Sequence, residues 1–355
     1  MDNAVIERIK SLIKSSGLIS EEKSLIGNSS TYDFSEEVIL VTGAAGSIGS
    51  GLAKQLLYAK FKKVIFLDNA ETPLFYLKKS ISNNFQNNVE FVLGDIRDKV
   101  HMSHLFEMYK PTLIFHTAAY KHVSLVEENP YEAIQTNIFA TQLLAQLALE
   151  YRSKRFIFIS TDKAVSPVGV MGMAKAIAER FLSNLNVSSQ STRFISARFG
   201  NIFGSNGSVV PLFIKQIKKR EAITITNKEA TRLFIDMDEA CTLILELAKL
   251  DVNGYNKVSF DMGKPIKIMD LAEVLISTFK AENKIAINIT NLSSGEKLHE
   301  AITTTDEILV TSKHKKIFYL VKKSKRKMEL DLEKLYKVNY KTTLQEMKKV
   351  LKGMC

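Results

Sequence analysis

Three neighbouring side chains of different chemistry stand together at Thr161, Asp162 and Lys163: a hydroxyl, a carboxylate and an amine. They follow Arg155-Phe156-Ile157-Phe158-Ile159, a short apolar run rich in β-formers, which predicts a buried strand. Open parallel sheets carry their chemistry just beyond the carboxyl ends of the strands, so these three residues are expected to face a ligand there. Pro167 and Gly169 then break the chain, and a helix is expected from about Met171. Met171 and Lys175 are four residues apart and share one face of that helix. Taken alone, Met171 reads as a core residue. The functional reading rests on a nucleotide site encoded upstream in the right order.

That site begins at Glu37–Thr42, EVILVT, a buried-strand pattern running directly into GAAGSIG and then a helix through about Tyr58. Gly43, Gly46 and Gly49 permit the tight turn, the approach of a pyrophosphate to the backbone and close packing of helix on strand. The phosphates would sit at the positive helix N-terminus. A second strand, Lys63–Leu67, ends at Asp68, where a carboxylate can take both ribose hydroxyls of an adenosine and repel a 2′-phosphate, favouring NAD over NADP. A third strand, Val89–Leu93, leads to Asp95 at the expected adenine edge. A fourth, Thr112–His116, opens into TAAYKHV. There Ala118 and Ala119 allow close approach of the cofactor, and Lys121 is placed for its phosphates or ribose. One long helix carrying Asn137 is expected over Glu128–Tyr151. The repeated strand–helix alternation predicts an α/β fold, a Rossmann-like doubly wound parallel sheet.

Beyond a strand at Arg193–Arg198 the chain reads as a smaller, mixed α/β substrate-binding region threaded back onto the sheet. GSNGSVVPLFIKQI, Gly204–Ile217, has the make-up of a loop that closes over a ligand. Arg232 lies among apolar neighbours, and a partly buried arginine needs an anion: a nucleotide diphosphate or a structural carboxylate. SSGEKLHE, Ser293–Glu300, is a polar loop suited to ribose and phosphate contacts. The expected organisation is a helical extension over 1–35, the NAD-binding domain over 36–200, the substrate-binding region over 201–325 and a basic helical tail over 326–355. In the extension, Val5, Ile6, Ile9, Leu12 and Ile13 follow helical spacing, and their apolar face needs a partner, either the main body or a second subunit. A polar stretch follows from Gly27 to Tyr32.

Composition sets the outer bounds. The 355 residues are 45% hydrophobic, enough for a large core without covalent staples. Cys241 and Cys355 suggest no disulfide framework and a reducing compartment. His101 and His104 lack further ligands nearby, so no metal site is expected. No apolar run approaches the roughly 18 residues of a membrane span, and no signal-peptide pattern opens the chain, so a cytoplasmic protein is expected. The net charge of +11 is uneven, with Lys315, Lys316, Lys322, Lys323, Lys325, Arg326 and Lys327 crowded together. A solvated basic face is the simplest reading, attraction to an anionic substrate or membrane surface the alternative. No recognition motif supports nucleic-acid binding.

With TGAAGSIG, GDIRD, HTAAYKHV, STDKA, MGMAK, RFGNIFGSNGSVVPLF, TRLF and GEKLHE in order, residues 36 to about 320 resemble the extended short-chain dehydrogenase/reductases. More narrowly they resemble the UDP-N-acetylglucosamine 4,6-dehydratases of bacterial polysaccharide and protein-glycan biosynthesis. Met171 takes the place of the tyrosine in the family's Tyr-x-x-x-Lys, as in its configuration-retaining members and in a related dehydratase/5-epimerase subgroup, whereas the inverting relatives keep tyrosine. Ser293-Ser294, where relatives often carry Arg-Pro, is a departure that bears on one phosphate or ribose contact. Longer relatives place membrane helices before this domain, so the resemblance suggests a soluble stand-alone version.

The resemblance implies an internal redox reaction. NAD takes a hydride from sugar carbon 4, the 4-keto sugar loses the carbon 5 proton and the carbon 6 hydroxyl as water, and the hydride returns to carbon 6. The product is UDP-2-acetamido-2,6-dideoxy-D-xylo-hex-4-ulose. It implies Lys163 as base at carbon 5, Asp162 as acid at the carbon 6 hydroxyl, Thr161 as relay for the carbon 4 hydroxyl and Lys175 at the nicotinamide ribose. Cofactor contacts are carried onto Gly43, Ala45, Gly46, Ser47, Ile48, Gly49, Asp68, Asn69, Asp95, Ile96, Ala118, Ala119, Lys121 and Asn137. Contacts to UDP-N-acetylglucosamine are carried onto His122, Asn201, Ser208, Val209, Val210, Pro211, Thr224, Arg232 and Glu296. Homo-oligomers through helices flanking the site are also implied. Three other functions stay open: a dehydratase that also epimerises carbon 5, which Asp68 disfavours because such relatives tend to use NADP; a simple 4-epimerase, which has no use for an elimination pair; and a non-catalytic nucleotide-binding module.

Overall fold

Six strands alternate with helices to build the first part of the fold. They are β1 (Asp33–Thr42), β2 (Lys60–Asp68), β3 (Val89–Leu93), β4 (Leu113–His116), β5 (Arg155–Thr161) and β6 (Arg193–Phe199). The computed structural model describes residues 2–19, 32–81, 88–252, 254–281, 285–323 and 330–355. The expected polar stretch up to residue 31 and three of the basic cluster, Lys325, Arg326 and Lys327, lie outside these residues. The strand centres, among them Ile39, Leu40, Val41, Ile65, Phe156, Ile157 and Phe158, have essentially no solvent exposure. Helices cover both faces of the sheet, which is why these strands read as unbroken apolar runs rather than alternating ones.

The connecting helices are α1 (Asn3–Ser16), preceding the sheet, then α2 (Ser47–Leu56), α3 (Glu71–Ile81), α4 (Lys99–Tyr109), α5 (Val123–Glu128), α6 (Pro130–Ala133), α7 (Ala140–Glu150) and α8 (Val170–Ser188). The single helix expected over Glu128–Tyr151 is broken. Pro130 opens α6, and Ile134–Phe139 forms a π-helical turn between α6 and α7. Proline has no N–H to continue a helix from α5. The π turn contains Asn137, whose amide is spent on a neighbouring loop, and such turns recur at functional sites.

The later chain adds β7 (Asn201–Ile202), β8 (Ile223–Ile225), β9 (Thr231–Arg232), β10 (Phe234–Ile235), β11 (Lys257–Phe260), β12 (Ile266–Lys267), β13 (Ile287–Ile289), β14 (Glu307–Thr311) and β15 (Ile317–Lys322). Its helices are α9 (Val209–Lys218), α10 (Met237–Lys249), α11 (Ile268–Thr278), α12 (Glu333–Tyr336) and α13 (Leu344–Gly353). The main sheet runs β14-β15-β11-β6-β5-β4-β1-β2-β3. Its β3-β2-β1-β4-β5-β6 portion is parallel throughout, and the order reverses between β1 and β4, where a ligand crevice forms at the carboxyl ends. β11 extends the sheet in parallel from β6, and β15 and β14 add antiparallel strands. Residues after 200 therefore share one sheet with those before it. The pairs β7–β10, β9–β12 and β8–β13 form small ribbons at the carboxyl-end side of this later region.

Two terminal elements find their partners within the same chain. Helix α1 buries Ile9, Leu12 and Ile13 in the cluster formed by α9 and α11, so the main body covers its apolar face. Its Arg8 donates to the carbonyls of Met262, Lys264 and Phe234, and Ser15 donates to Asp236 at 2.6 Å. At the other end, Leu335, Val338, Met347, Leu351 and Met354 pack on Ile134, Ile138, Met173, Ala174 and Ile177. The apolar face formed by α8 and the π turn is thus covered by residues from the chain's own 330–354 segment.

Candidate active site

The first site lies at the β1–α2 turn. Gly43 has φ +67°, and a Cβ there would stand 2.6 Å from the Ala118 Cα. Only a residue without a side chain lets this turn press against the loop after β4. A cleft of about 300 Å³ opens beside it. Of the residues expected on a cofactor, Gly43, Ala45, Gly46, Asp68, Asn69, Asp95, Ile96, Ala118 and Ala119 line it, joined by Leu67, Ala70, Pro73, Gly94, Thr117, Tyr120 and Thr136. Asp68 accepts the N–H of Ala45 at 2.8 Å through Oδ2 and that of Ala70 at 2.9 Å through Oδ1. The carboxylate therefore fixes the glycine turn to the end of β2 while lining the cleft. Arg97 grips Asp95 with contacts as short as 2.6 Å and holds its carboxyl below the usual range. These residues fit the adenosine half of a dinucleotide: a glycine cradle, a ribose-height carboxylate and small residues beneath. Thr136 was not singled out in the sequence; its hydroxyl is buried at the cleft without a hydrogen-bond partner, a ready donor or acceptor for a ligand.

Several expected cofactor residues do different work. The Asn137 amide accepts from the Tyr120 N–H and donates to the Tyr120 carbonyl, both at 2.9 Å, so it fixes the loop and does not line the cleft. The Lys121 ammonium donates to the Asn206 carbonyl at 2.7 Å instead of standing free for phosphates, and burial pushes its pKa down. The Ser47 hydroxyl accepts the Asn206 N–H at 3.1 Å. Asn206 thus ties the Gly204–Ser208 loop to the glycine turn and to Lys121 together. Ile48 and Gly49 serve packing of α2 on the core. His116, between the Thr42 and Thr141 hydroxyls at 2.7 and 2.9 Å, is fully buried, and burial lowers its pKa to about 3.

The second site lies beyond β5. Thr161 caps a short 3₁₀ turn, Asp162–Ala164, which presents the next two side chains. Asp162 is fully buried; its Oδ1 accepts from the Thr161 hydroxyl at 2.9 Å and from the Lys163 ammonium at 3.0 Å, while Oδ2 has no partner. Lys163 also donates to Asn201 Oδ1 at 3.0 Å, so β7 delivers Asn201 to the amine. Lys163 and Met171 line one small cavity with Val123, Val168, Gly169, Gly172, Gly295, Lys297 and Glu300. Its space is about 10 Å³, room for one water. Lys175, four residues on from Met171, is fully buried; it donates to the Ile159 carbonyl at 2.8 Å and stands 4.3 Å above the Phe158 ring. Burial, opposed by the charge of Glu179, brings its pKa down to about 7.

The residues expected on the substrate are spread more widely. Arg232 is buried and donates to the Thr231 and Leu298 carbonyls at 2.8 and 3.1 Å, with no carboxylate among the described residues within 4 Å. The structural-carboxylate alternative thus falls away. His122 stands against Gly207 at the start of α5. The Ser208 hydroxyl is buried without a partner at the start of α9; Val210 is buried behind it, and Val209 and Pro211 are half-buried. Thr224 is exposed on β8. Glu296, expected on a ribose, turns back to accept the Ser293 N–H at 3.2 Å. Among the described residues no group of three or more His, Cys, Asp or Glu side chains is arranged to hold a metal ion.

A doubly wound sheet with a glycine turn, an acid at the end of β2 and a Thr-Asp-Lys set beyond β5 defines a dinucleotide-binding α/β protein of the short-chain dehydrogenase type. The chain belongs to the polysaccharide biosynthesis protein family, whose profile matches residues 39–322. It is 40% identical over 289 residues to the capsular polysaccharide biosynthesis protein CapD of Staphylococcus aureus, covering 81% of this chain and 48% of CapD. It thus spans about half the length of that relative. It is 34% identical over 282 residues to a UDP-N-acetylglucosamine 4,6-dehydratase (inverting) of Campylobacter jejuni, 78% of this chain and 80% of that protein. Among solved structures, Pen from Bacillus thuringiensis matches with a TM-score of 0.74 at 32% identity, covering 81% of this chain and 87% of Pen. No helix among the described residues is long and apolar enough to cross a membrane.

Proposed function

We propose that this protein dehydrates UDP-N-acetylglucosamine to the 6-deoxy-4-keto sugar with retention at carbon 5, for bacterial surface glycan synthesis, with NAD as its resident cofactor. The observation that carries the reading is the hydrogen-bonded set at Lys163, whose Nζ lies 3.0 Å from both Asp162 Oδ1 and Asn201 Oδ1 and which lines one cavity with Met171. An elimination needs an acid and a base on the same substrate, and an adjacent carboxylate and amine supply both. Bound NAD supplies a hydride acceptor and donor within one turnover, so no external reductant is consumed.

Lys163 Nζ, as the neutral amine, takes the carbon 5 proton and later returns it, and Asp162, protonated by the proton relayed from the carbon 4 hydroxyl, gives that proton through its unpartnered Oδ2 to the leaving carbon 6 hydroxyl. Methionine cannot exchange a proton. The carbon 4 hydroxyl is instead served by Thr161 Oγ1, which passes its own proton 2.9 Å to Asp162 Oδ1. Arg232, with no carboxylate within 4 Å among the described residues, takes the substrate diphosphate. A single amine that removes and returns the carbon 5 proton on one face gives the retained configuration, which Met171 supports even though the Campylobacter jejuni relative carries the name inverting.

The test is an NMR time course with UDP-N-acetylglucosamine in deuterated water. A D-xylo 6-deoxy-4-keto product without added NADH supports the proposal. An L-arabino product appearing first assigns the epimerising branch instead. No product, with NAD and UDP-sugar both bound, leaves a nucleotide-binding module. Lys163→Ala and Asp162→Asn are each expected to abolish dehydration with NAD binding retained; full activity in either removes that residue's role.

A further inference from the structure

Within the Ser293–Glu300 loop, the sequence draws attention to Glu296, but the structure gives that side chain to the loop's own turn. The acid that reaches the cavity is Glu300, whose side chain is only 2% exposed. Its Oε1 lies 3.8 Å from Lys163 Nζ, and its Oε2 lies 3.3 Å from Lys297 Nζ. Lys297 in turn donates to the Val165 carbonyl at 2.6 Å, tying the loop to the segment that carries Lys163. The loop is anchored just before Glu300: Thr231 takes the Leu298 carbonyl at 3.1 Å through its N–H and meets His299 Nδ1 at 2.9 Å through its hydroxyl. Glu300 is therefore held, not trailing, and it is a second carboxylate beside Lys163.

From this geometry we propose that Glu300 is a positioning residue for Lys163. It forms the second carboxylate of an alternating row, Asp162, Lys163, Glu300, Lys297, in which each lysine lies next to an acid. Opposite charges a few ångströms apart in a poorly solvated pocket hold one another firmly, and removing one leaves its partner exposed to an uncompensated cost. Without Glu300, Lys163 keeps Asp162 beside it and Asn201 on β7, and loses its link to the Ser293–Glu300 loop that lines the cavity. The anchored loop that lines the cavity thus carries a group that sets the amine, so the loop and the carbon 5 base are placed together. The inference rests on the reading of Lys163 as the proton acceptor, which gives the positioning its purpose.

The experiment compares wild type, Glu300→Gln and Glu300→Asp in the full chain. In the substrate-free protein, Lys163 labelling by an amine-reactive ester is followed by peptide mass spectrometry. Glu300→Gln is expected to label several-fold faster than wild type, with Glu300→Asp returning toward the wild-type rate. With UDP-N-acetylglucosamine in deuterated water, the ratio of carbon 5 exchange to cofactor reduction is expected to fall roughly tenfold in Glu300→Gln. Unchanged Lys163 labelling overturns the inference, as does an equal loss of both chemical steps with labelling unmoved, the sign of a merely structural acid. If wild type fails to process the sugar, the functional reading falls while the labelling comparison still decides the place of Glu300.

Discussion

Glu127 and Lys348 are paired at 2.8 Å across the gap between α5 and α13. The other oxygen of the same carboxylate accepts the N–H of Val170, the first residue of α8. That oxygen also fills the space where Gly169 and Gly295 would carry side chains: a Cβ would lie 2.9 Å from it at Gly169 and 2.8 Å at Gly295, where φ is +81°. One buried acid thus joins α8, the Ser293–Glu300 loop and α13. Glu127→Ala leaves a buried N–H without an acceptor and is expected to cost about 2 kcal/mol. Lys348→Met removes a half-exposed ammonium and is expected to cost under about 1 kcal/mol. Urea unfolding measures both, and a wild-type midpoint for Glu127→Ala would dissolve the joint.

A pH signature follows from Lys175. Its pKa is brought to about 7 by burial, against the pull of Glu179. In the unfolded chain the amine holds its proton to far higher pH. Between pH 7 and the ordinary lysine range the unfolded state therefore binds a proton the folded state lacks, so stability rises with pH across that window. Below pH 7 both states are charged and the full cost of burying the ammonium is felt. Lys175→Met, free of that cost, is expected to be more stable than wild type in acid-to-neutral solution. The gap should close as pH rises from about 7 toward about 10. Nucleotide-free protein unfolded in urea at a series of pH values reads this directly; a gap that widens with pH contradicts it.

The back of α8 is held by a buried charge cluster. Arg198 meets Glu179 at 2.6 Å and Glu307 at 2.7 Å, and Lys257 lies 3.2 Å from Glu179. Burial works to raise the Glu179 carboxyl, but Arg198 and Lys257, with hydrogen bonds from Arg198 and Ser160, bring it down to about 2. Its contribution is complete above the ordinary glutamate range and is lost as pH falls from there toward 2. Arg198→Met strands two buried carboxylates and is expected to cost about 3–5 kcal/mol, read as a lower urea midpoint. A shift under about 1 kcal/mol would mean that water or Lys257 compensates.

Local pattern determined a large part of this protein. EVILVT before GAAGSIG, with Asp68 at the end of the next apolar run, specifies a strand, a turn and a helix whose chemistry depends only on near neighbours, so the cleft could be written down from the chain. Thr161, Asp162 and Lys163 are consecutive, and their mutual hydrogen bonds follow from that adjacency. What the chain could not reveal were contacts between distant segments. Asn137 is taken by Tyr120 and Lys121 by Asn206, because the loops after β4 and β7 meet only in the folded sheet. Glu296 and Glu300 lie in one motif, and only the anchoring of Leu298 and His299 to Thr231 decides which acid faces Lys163. The apolar face of α1 read the same in sequence whether a second subunit or the main body covered it. Tertiary structure chose the main body, because α9 and α11 bring Phe213, Ile214 and Leu271 to that face in one cluster.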